Sequence, residues 1–182
     1  MKNDFTTKHL DVKAFARSAG DVTAEDTVGK YERLMEETQG LGAQKPLKWS
    51  ARGEFRTDLA GAEQIWLHLT VDAVLPLTCQ RCLAPTDVAV RLNQSYRFVE
   101  SEAVAQAQDA EAEEDVLALS PAFSLTDLIE DEVLMALPPI PMHDLCPVAV
   151  KLELVDPGFE QASNAKRQPF AVLAQLKSGR PD

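Results

Sequence analysis

The sequence predicts an α+β fold: an antiparallel meander sheet with one long hairpin, covered by a helix over about residues 124–137. N-terminal helices and a mobile C-terminal tail complete the expected outline. Three observations carry this reading. Apolar and polar residues alternate in three consecutive runs that start near Leu47, Ile65 and Val88, a period that buries one face of a strand. Successive strands with one polar face favour an antiparallel sheet over a parallel α/β core. Downstream, SLTDLIEDEVLMALPP places apolar residues at helical spacing between a capping serine and two prolines.

Taken in order, residues 8–39 read as helical in two pieces. In the second, Val28, Tyr31, Leu34 and Met35 fall three and four apart, and GLGAQKP then breaks the helix. In the first strand Leu47, Trp49, Ala51, Gly53 and Phe55 face one way, and Lys48, Ser50, Arg52, Glu54 and Arg56 the other. The second strand sets Ile65, Leu67, Leu69, Val71, Ala73, Leu75 and Leu77 against His68, Thr70, Asp72 and Thr78, with Trp66 as an apolar exception. Pro76 cannot donate to a ladder, so a bend or a sheet edge is expected there. The third strand alternates Val88, Val90, Leu92, Tyr96 and Phe98 with Asp87, Ala89, Arg91, Asn93 and Arg97. The last two strands flank CQRCLAPT and join most simply as a hairpin.

Residues 100–115 are acidic and poor in large apolar side chains, which reads as a mobile loop; a solvated polar helix is the alternative, since Ala, Glu and Gln form helices well. VLALSPAF offers a further strand. In the helix, Ser124 with Asp127 makes the cap signal, Leu125, Leu128, Ile129, Val133, Ala136 and Leu137 form the stripe, and Pro138 and Pro139 end it. PPIPMHDLCP is held extended by its prolines. The terminal PFAVLAQLK carries Phe170, Leu173 and Leu176 on one short stripe. Such a helix is marginal alone and must dock, which makes it a candidate partner-binding surface. The expected organisation is a helical segment over 1–42, a core over 43–152 and a flexible tail over 153–182.

The 182 residues carry a net charge of −11. Between Phe98 and Val150 there are twelve acids and neither lysine nor arginine. Affinity for phosphate backbones comes from cations that displace counterions, so DNA and general RNA clamping are disfavoured and a basic protein partner fits better. No apolar run is long enough to span a membrane. Three cysteines without a secretory signal argue for a reducing cytoplasm. A small basic cluster remains, with Arg81 at the hairpin tip and Arg91 and Arg97 on the following strand. Lys48, Arg52 and Arg56 lie on an earlier strand, and Trp66 and Tyr96 are candidates for stacking on RNA.

Cys79 and Cys82 stand in CxxC spacing at the tip, and His143 and Cys146 in HxxC spacing after the helix. Structural zinc is commonly held by two such pairs, so the four residues form a candidate Cys3His site. Two other readings stay open: three reduced, partly buried thiols, or a redox pair. The redox pair is the poorer of these, because such cysteines sit at a helix N-terminus, whereas here strand follows strand. No phosphate loop, GxSxG or HExxH occurs. Glu130 and Glu132 are two apart on a helix and do not face each other, so they read as a solvated helix face. The chain is not expected to be an enzyme.

The order of LTCQRCLAP, DLIEDEVLMALPPIPMHDLC and PFAVLAQLK resembles the YceD family, the large ribosomal RNA subunit accumulation proteins, from about residue 45 onward. The matching positions are Cys79, Cys82, Leu83, Glu130, Asp131, Glu132, Leu137, Pro138, Pro141, His143 and Cys146. The resemblance implies a non-catalytic role in 23S ribosomal RNA accumulation or processing and in large-subunit biogenesis. Its implied partners are a precursor large subunit, 23S rRNA or a basic ribosomal protein, with one structural zinc ion as the candidate cofactor. Two alternatives are a zinc-stabilised protein adaptor without RNA contact and a CxxC thiol oxidoreductase.

Overall fold

The structure is a computed structural model that describes residues 7–57, 61–121 and 123–148. Its centre is a five-stranded sheet in sequence order, formed by β1 (Asp21–Thr27), β2 (Pro46–Thr57), β3 (Glu63–Thr78), β4 (Pro85–Val99) and β5 (Asp115–Ala118). The first four strands pair antiparallel. β5 pairs parallel to β4, so the sheet is mixed, and VLALSPAF supplies the extra strand. The helices are α1 (Val12–Arg17), α2 (Glu32–Glu37), α3 (Glu102–Asp109) and α4 (Leu125–Met135).

The period-two runs bury the faces expected of them. Leu47, Trp49 and Ala51 of β2 join Leu67, Leu69, Val71 and Leu75 of β3, Tyr96 and Phe98 of β4, and Ile129 and Val133 of α4 in one core. Each buried side chain of that size contributes about 1.5–3 kcal/mol. Ser124 caps α4 by accepting the N–H of Asp127. At Gly53 a β-carbon would lie 2.8 Å from the Ala16 backbone and the Phe15 ring, so only glycine lets α1 lie down on β2.

Two segments differ from the sequence expectation. Within the stretch read as helical, residues 21–27 form an edge strand that pairs with β2 from Asp21↔Arg52 to Thr27↔Pro46. Val22 and Ala24 turn inward while Thr23 and Glu25 face out, a pattern too short to outweigh the helical stripe after it. Asp26 also points inward, where its carboxylate accepts from the Trp49 indole (2.8 Å), the Tyr31 hydroxyl (2.9 Å) and Lys30 (2.9 Å). Burial by itself would raise its pKa, but these donors hold it below the usual value. Within 100–115, residues 102–109 are helical, not a mobile loop.

β3 and β4 outrun their neighbour. The β2 ladder ends at Leu47↔Ala73, while β4 continues to Thr78↔Pro85. Pro76 lies in this overhang, paired with β4 alone, as expected of a residue that cannot serve a central ladder. The result is a two-stranded arm that carries the CxxC at its tip. The N-terminal helices, the sheet and α4 belong to one unit that runs to Cys146. Among the described residues no helix is long and apolar enough to cross a membrane.

Candidate metal centre at the hairpin tip

The tip is a tight turn in which the Leu83 N–H donates to the Cys79 carbonyl at 2.8 Å and the Cys79 N–H to the Ala84 carbonyl at 3.0 Å. Leu83 holds φ of +61°, a left-handed conformation that costs a non-glycine residue roughly 1–2 kcal/mol. After α4 the chain bends at Pro139 and Ile140, where the sequence predicts an extended segment, and returns to the arm. The Gln80 N–H donates to the Pro141 carbonyl at 2.9 Å, which fixes the returning chain beside the turn.

This docking brings the four predicted ligands together. One ligand atom from each of Cys79, Cys82, His143 and Cys146 lies within 4.8 Å of all the others. A tetrahedron of zinc–sulfur bonds of about 2.3 Å has edges of about 3.8 Å, so small side-chain adjustments suffice to close four ligands on one ion. The histidine is already oriented. Its Nε2 lies 3.0 Å from the Pro85 carbonyl, and its Nδ1 lies 3.3 Å from the Cys82 sulfur. Donation of Nε2–H to the carbonyl leaves the Nδ1 lone pair directed at the thiols, the usual outer-shell arrangement of a metal-bound imidazole.

Electrostatics favour thiolate at the buried corner. Burial alone would raise the Cys79 pKa, but N–H groups of His143, Arg81 and Cys82 aim at its sulfur and bring it down to about 5. The His143 N–H makes the contact at 3.4 Å. Cys82 is pushed the other way despite the Ala84 N–H, by desolvation and by the neighbouring sulfurs of Cys146 and Cys79. Crowded thiols that cannot all ionise unaided are what a divalent cation relieves. No helix begins at the CxxC, because the chain passes directly into β4; the structure therefore lacks the helix N-terminus of a thioredoxin-like pair.

The comparison with known families decides what kind of chain this is. The family model described as large ribosomal RNA subunit accumulation protein YceD matches residues 67–177, more than half of the chain. The chain belongs to the YceD family. The YceD match begins inside β3 rather than near residue 45, so β1 and β2 precede it, while the arm, α4 and the return segment lie within it. The family is described by a role in RNA accumulation and not by a reaction. No solved structure matches the chain.

The three arginines proposed to contact RNA or the ribosome lie at separate places. Arg81 turns onto the Cys3His cluster, donating to the Cys146 sulfur (3.1 Å) and to the carbonyls of His143 (2.6 Å) and Asp144 (3.3 Å). Arg91 of β4 pairs with its cross-strand neighbour Asp72 of β3 at 3.1 Å, below the arm. Arg97 is held by Glu114 (2.5 Å) and Gln108 (2.7 Å). Tyr96 faces the core, whereas Trp66 lies on the outer face beneath Arg56, 4.9 Å from ring centroid to guanidinium. Phe170, Leu173 and Leu176 lie outside the described residues.

Sequence reasoning misread Glu130 and Glu132, both of which are buried at 7% exposure. The Glu130 carboxylate accepts the backbone N–H groups of Arg33 (2.7 Å) and Leu34 (3.2 Å) and the Arg33 Nε (3.0 Å). It thereby caps α2, whose own N-cap residue Tyr31 supplies no side-chain bond. A signal was present for Glu132. It falls three residues after Ile129 and four before Ala136, inside the apolar stripe.

Proposed function

We propose that the chain is a non-enzymatic factor that supports 23S rRNA accumulation and large-subunit biogenesis by docking on a precursor subunit or one of its basic ribosomal proteins. The observation that carries this reading is the YceD match over residues 67–177. Within it, Cys79, Cys82, His143 and Cys146 hold one structural zinc ion that locks the return segment onto the arm. Arg81 braces the site from outside, and the protein works in the cytoplasm.

The outer surface of the tip supports docking. Leu83, Ile140, Met142 and Leu145 are exposed there, Leu145 at 88%, and apolar side chains gathered beside a rigid turn are the usual marks of a protein contact. The test is affinity capture of the tagged protein from cells, scored for ribosomal RNA and proteins, with metal analysis of the purified chain. The expected result is about one zinc per chain and co-sedimentation with large-subunit precursors, lost in a Leu83→Ser, Leu145→Ser double variant. Capture that contains no ribosomal component would refute the reading.

A second reading, a zinc-stabilised protein adaptor without RNA contact, is favoured by one observation: Arg91 and Arg97 are both occupied by the chain's own carboxylates. Nuclease treatment before capture separates the two. An adaptor keeps its protein partner after the RNA is digested; a factor held through RNA does not.

A further inference from the structure

Between β5 and α4 lies a pocket of about 510 Å³. Asp109, Asp115, Asp131 and Glu132 line it, together with leucines and the 71% exposed Met135, and no lysine or arginine does. Two of the acids are occupied elsewhere, Asp131 by Arg33 and Asp109 by the Val116 N–H. No cation pairs with the carboxylates of Asp115 and Glu132 among the described residues, and the polar neighbour of Glu132 is Tyr96. A second feature lies beside Glu132. Tyr96, 1% exposed, lines the same pocket, and its buried hydroxyl faces the Glu132 carboxylate without completing a well-formed hydrogen bond to it or to any other described group.

Such a group is rare in native proteins and calls for an explanation. An unpartnered buried hydroxyl costs about 1–3 kcal/mol, and a poorly solvated carboxylate costs more. Burial raises the Glu132 pKa, and the charges of Asp115 and Asp131 raise it further, against the opposing pull of Tyr96. One ligand relieves every one of these strains. A guanidinium brings five N–H donors and a delocalised charge, which satisfy two carboxylates and the tyrosine oxygen together. Its aliphatic stem would lie along Met135 and the leucines.

We propose that this pocket receives an arginine side chain presented by a basic segment of a partner protein. The inference deepens the reading above by naming how a basic ribosomal protein would be gripped, at a place separate from the metal-bearing tip. It is tested with purified full-length protein and peptide alone, so it can fail while ribosomal capture stands, and capture can fail while it stands.

The probe is the peptide acetyl-Gly-Leu-Arg-Leu-Gly-amide, titrated by NMR into protein with a labelled Met135 methyl. The comparison peptide carries citrulline, the neutral isostere of arginine. The arginine peptide is expected to shift Met135, and the citrulline peptide to bind at least tenfold more weakly. Glu132→Gln should weaken the arginine peptide at least tenfold and Tyr96→Phe about threefold, while Asp127→Asn, on the same helix but outside the pocket, should leave it unchanged. Circular dichroism confirms that each variant is folded. Equal binding of the two peptides, or unchanged affinity in both pocket variants, would overturn the proposal.

Discussion

Glu130 and Glu132 stand two residues apart on one helix and are equally buried, yet they face opposite situations. Glu130 looks toward α2 and finds two backbone N–H groups and a guanidinium. Glu132 looks toward β4 and β5 and finds a tyrosine and further acid. The first is a structural rivet across 97 residues of sequence; the second is a carboxylate that no cation neutralises among the described residues. Burial alone therefore does not say what a charged side chain does. The inventory of donors around it does.

The sharpest way to break this contrast is to remove each carboxylate. Glu130→Ala should destabilise the fold by about 2–4 kcal/mol, since it removes a helix cap and leaves Arg33 without its buried partner. Urea unfolding measures this, and a loss under 1 kcal/mol would deny the rivet. Stripping the proposed zinc ion offers a control at a distance from both acids. A strong chelator should abolish amide-exchange protection of the Cys79–Ala84 turn and lower stability by about 1–3 kcal/mol, leaving protection of Leu34 intact. Simultaneous loss at both places would mean that the two regions are not independent.

Glu132→Gln should do the opposite of Glu130→Ala, raising stability at neutral pH by up to about 1 kcal/mol, because an unpaired buried charge disappears. The pH dependence gives the sign. The folded pKa of Glu132 is raised, so between the unfolded and folded values the native state binds the additional proton, and stability falls as pH rises through that window. Wild type should therefore gain on Glu132→Gln as the pH is lowered from 7 toward 4.5. A carboxylate favoured in its ionised form would make wild type lose ground instead. The smallest effect belongs to Tyr96→Phe, which removes an unsatisfied hydroxyl and should be neutral or stabilising by about 0.5–1 kcal/mol in the free protein. A loss exceeding 1 kcal/mol would reveal a partner for that hydroxyl.

The parts of this fold legible in the sequence are those written in short-range periodicity. The alternation through Ile65–Leu77 and Val88–Phe98, and the stripe from Leu125 to Leu137, foretold β3, β4 and α4. Two residue pairs at CxxC and HxxC spacing foretold the four side chains now gathered at the tip. β1 was missed because only Val22 and Ala24 are apolar on its inward face, and because a seven-residue edge strand is decided by the ladder that β2 offers it. The helix at 102–109 ranked only as the alternative to a loop for a related reason. Its sequence has helix-forming residues but little apolar surface, so docking, with Ala105 buried, decides its state.

The sequence by itself determined which residues could face the core and which could ligate a metal, because side-chain alternation and ligand chemistry are local properties. Only the tertiary structure decided which charges were free. Arg81, Arg91 and Arg97 look equivalent along the chain, but one braces a thiol cluster and the other two are tied to the protein's own acids. Glu130 and Glu132 look equivalent too. The field at a charged group is the sum over neighbours brought there by folding from anywhere in the chain, and no local window of sequence contains that sum.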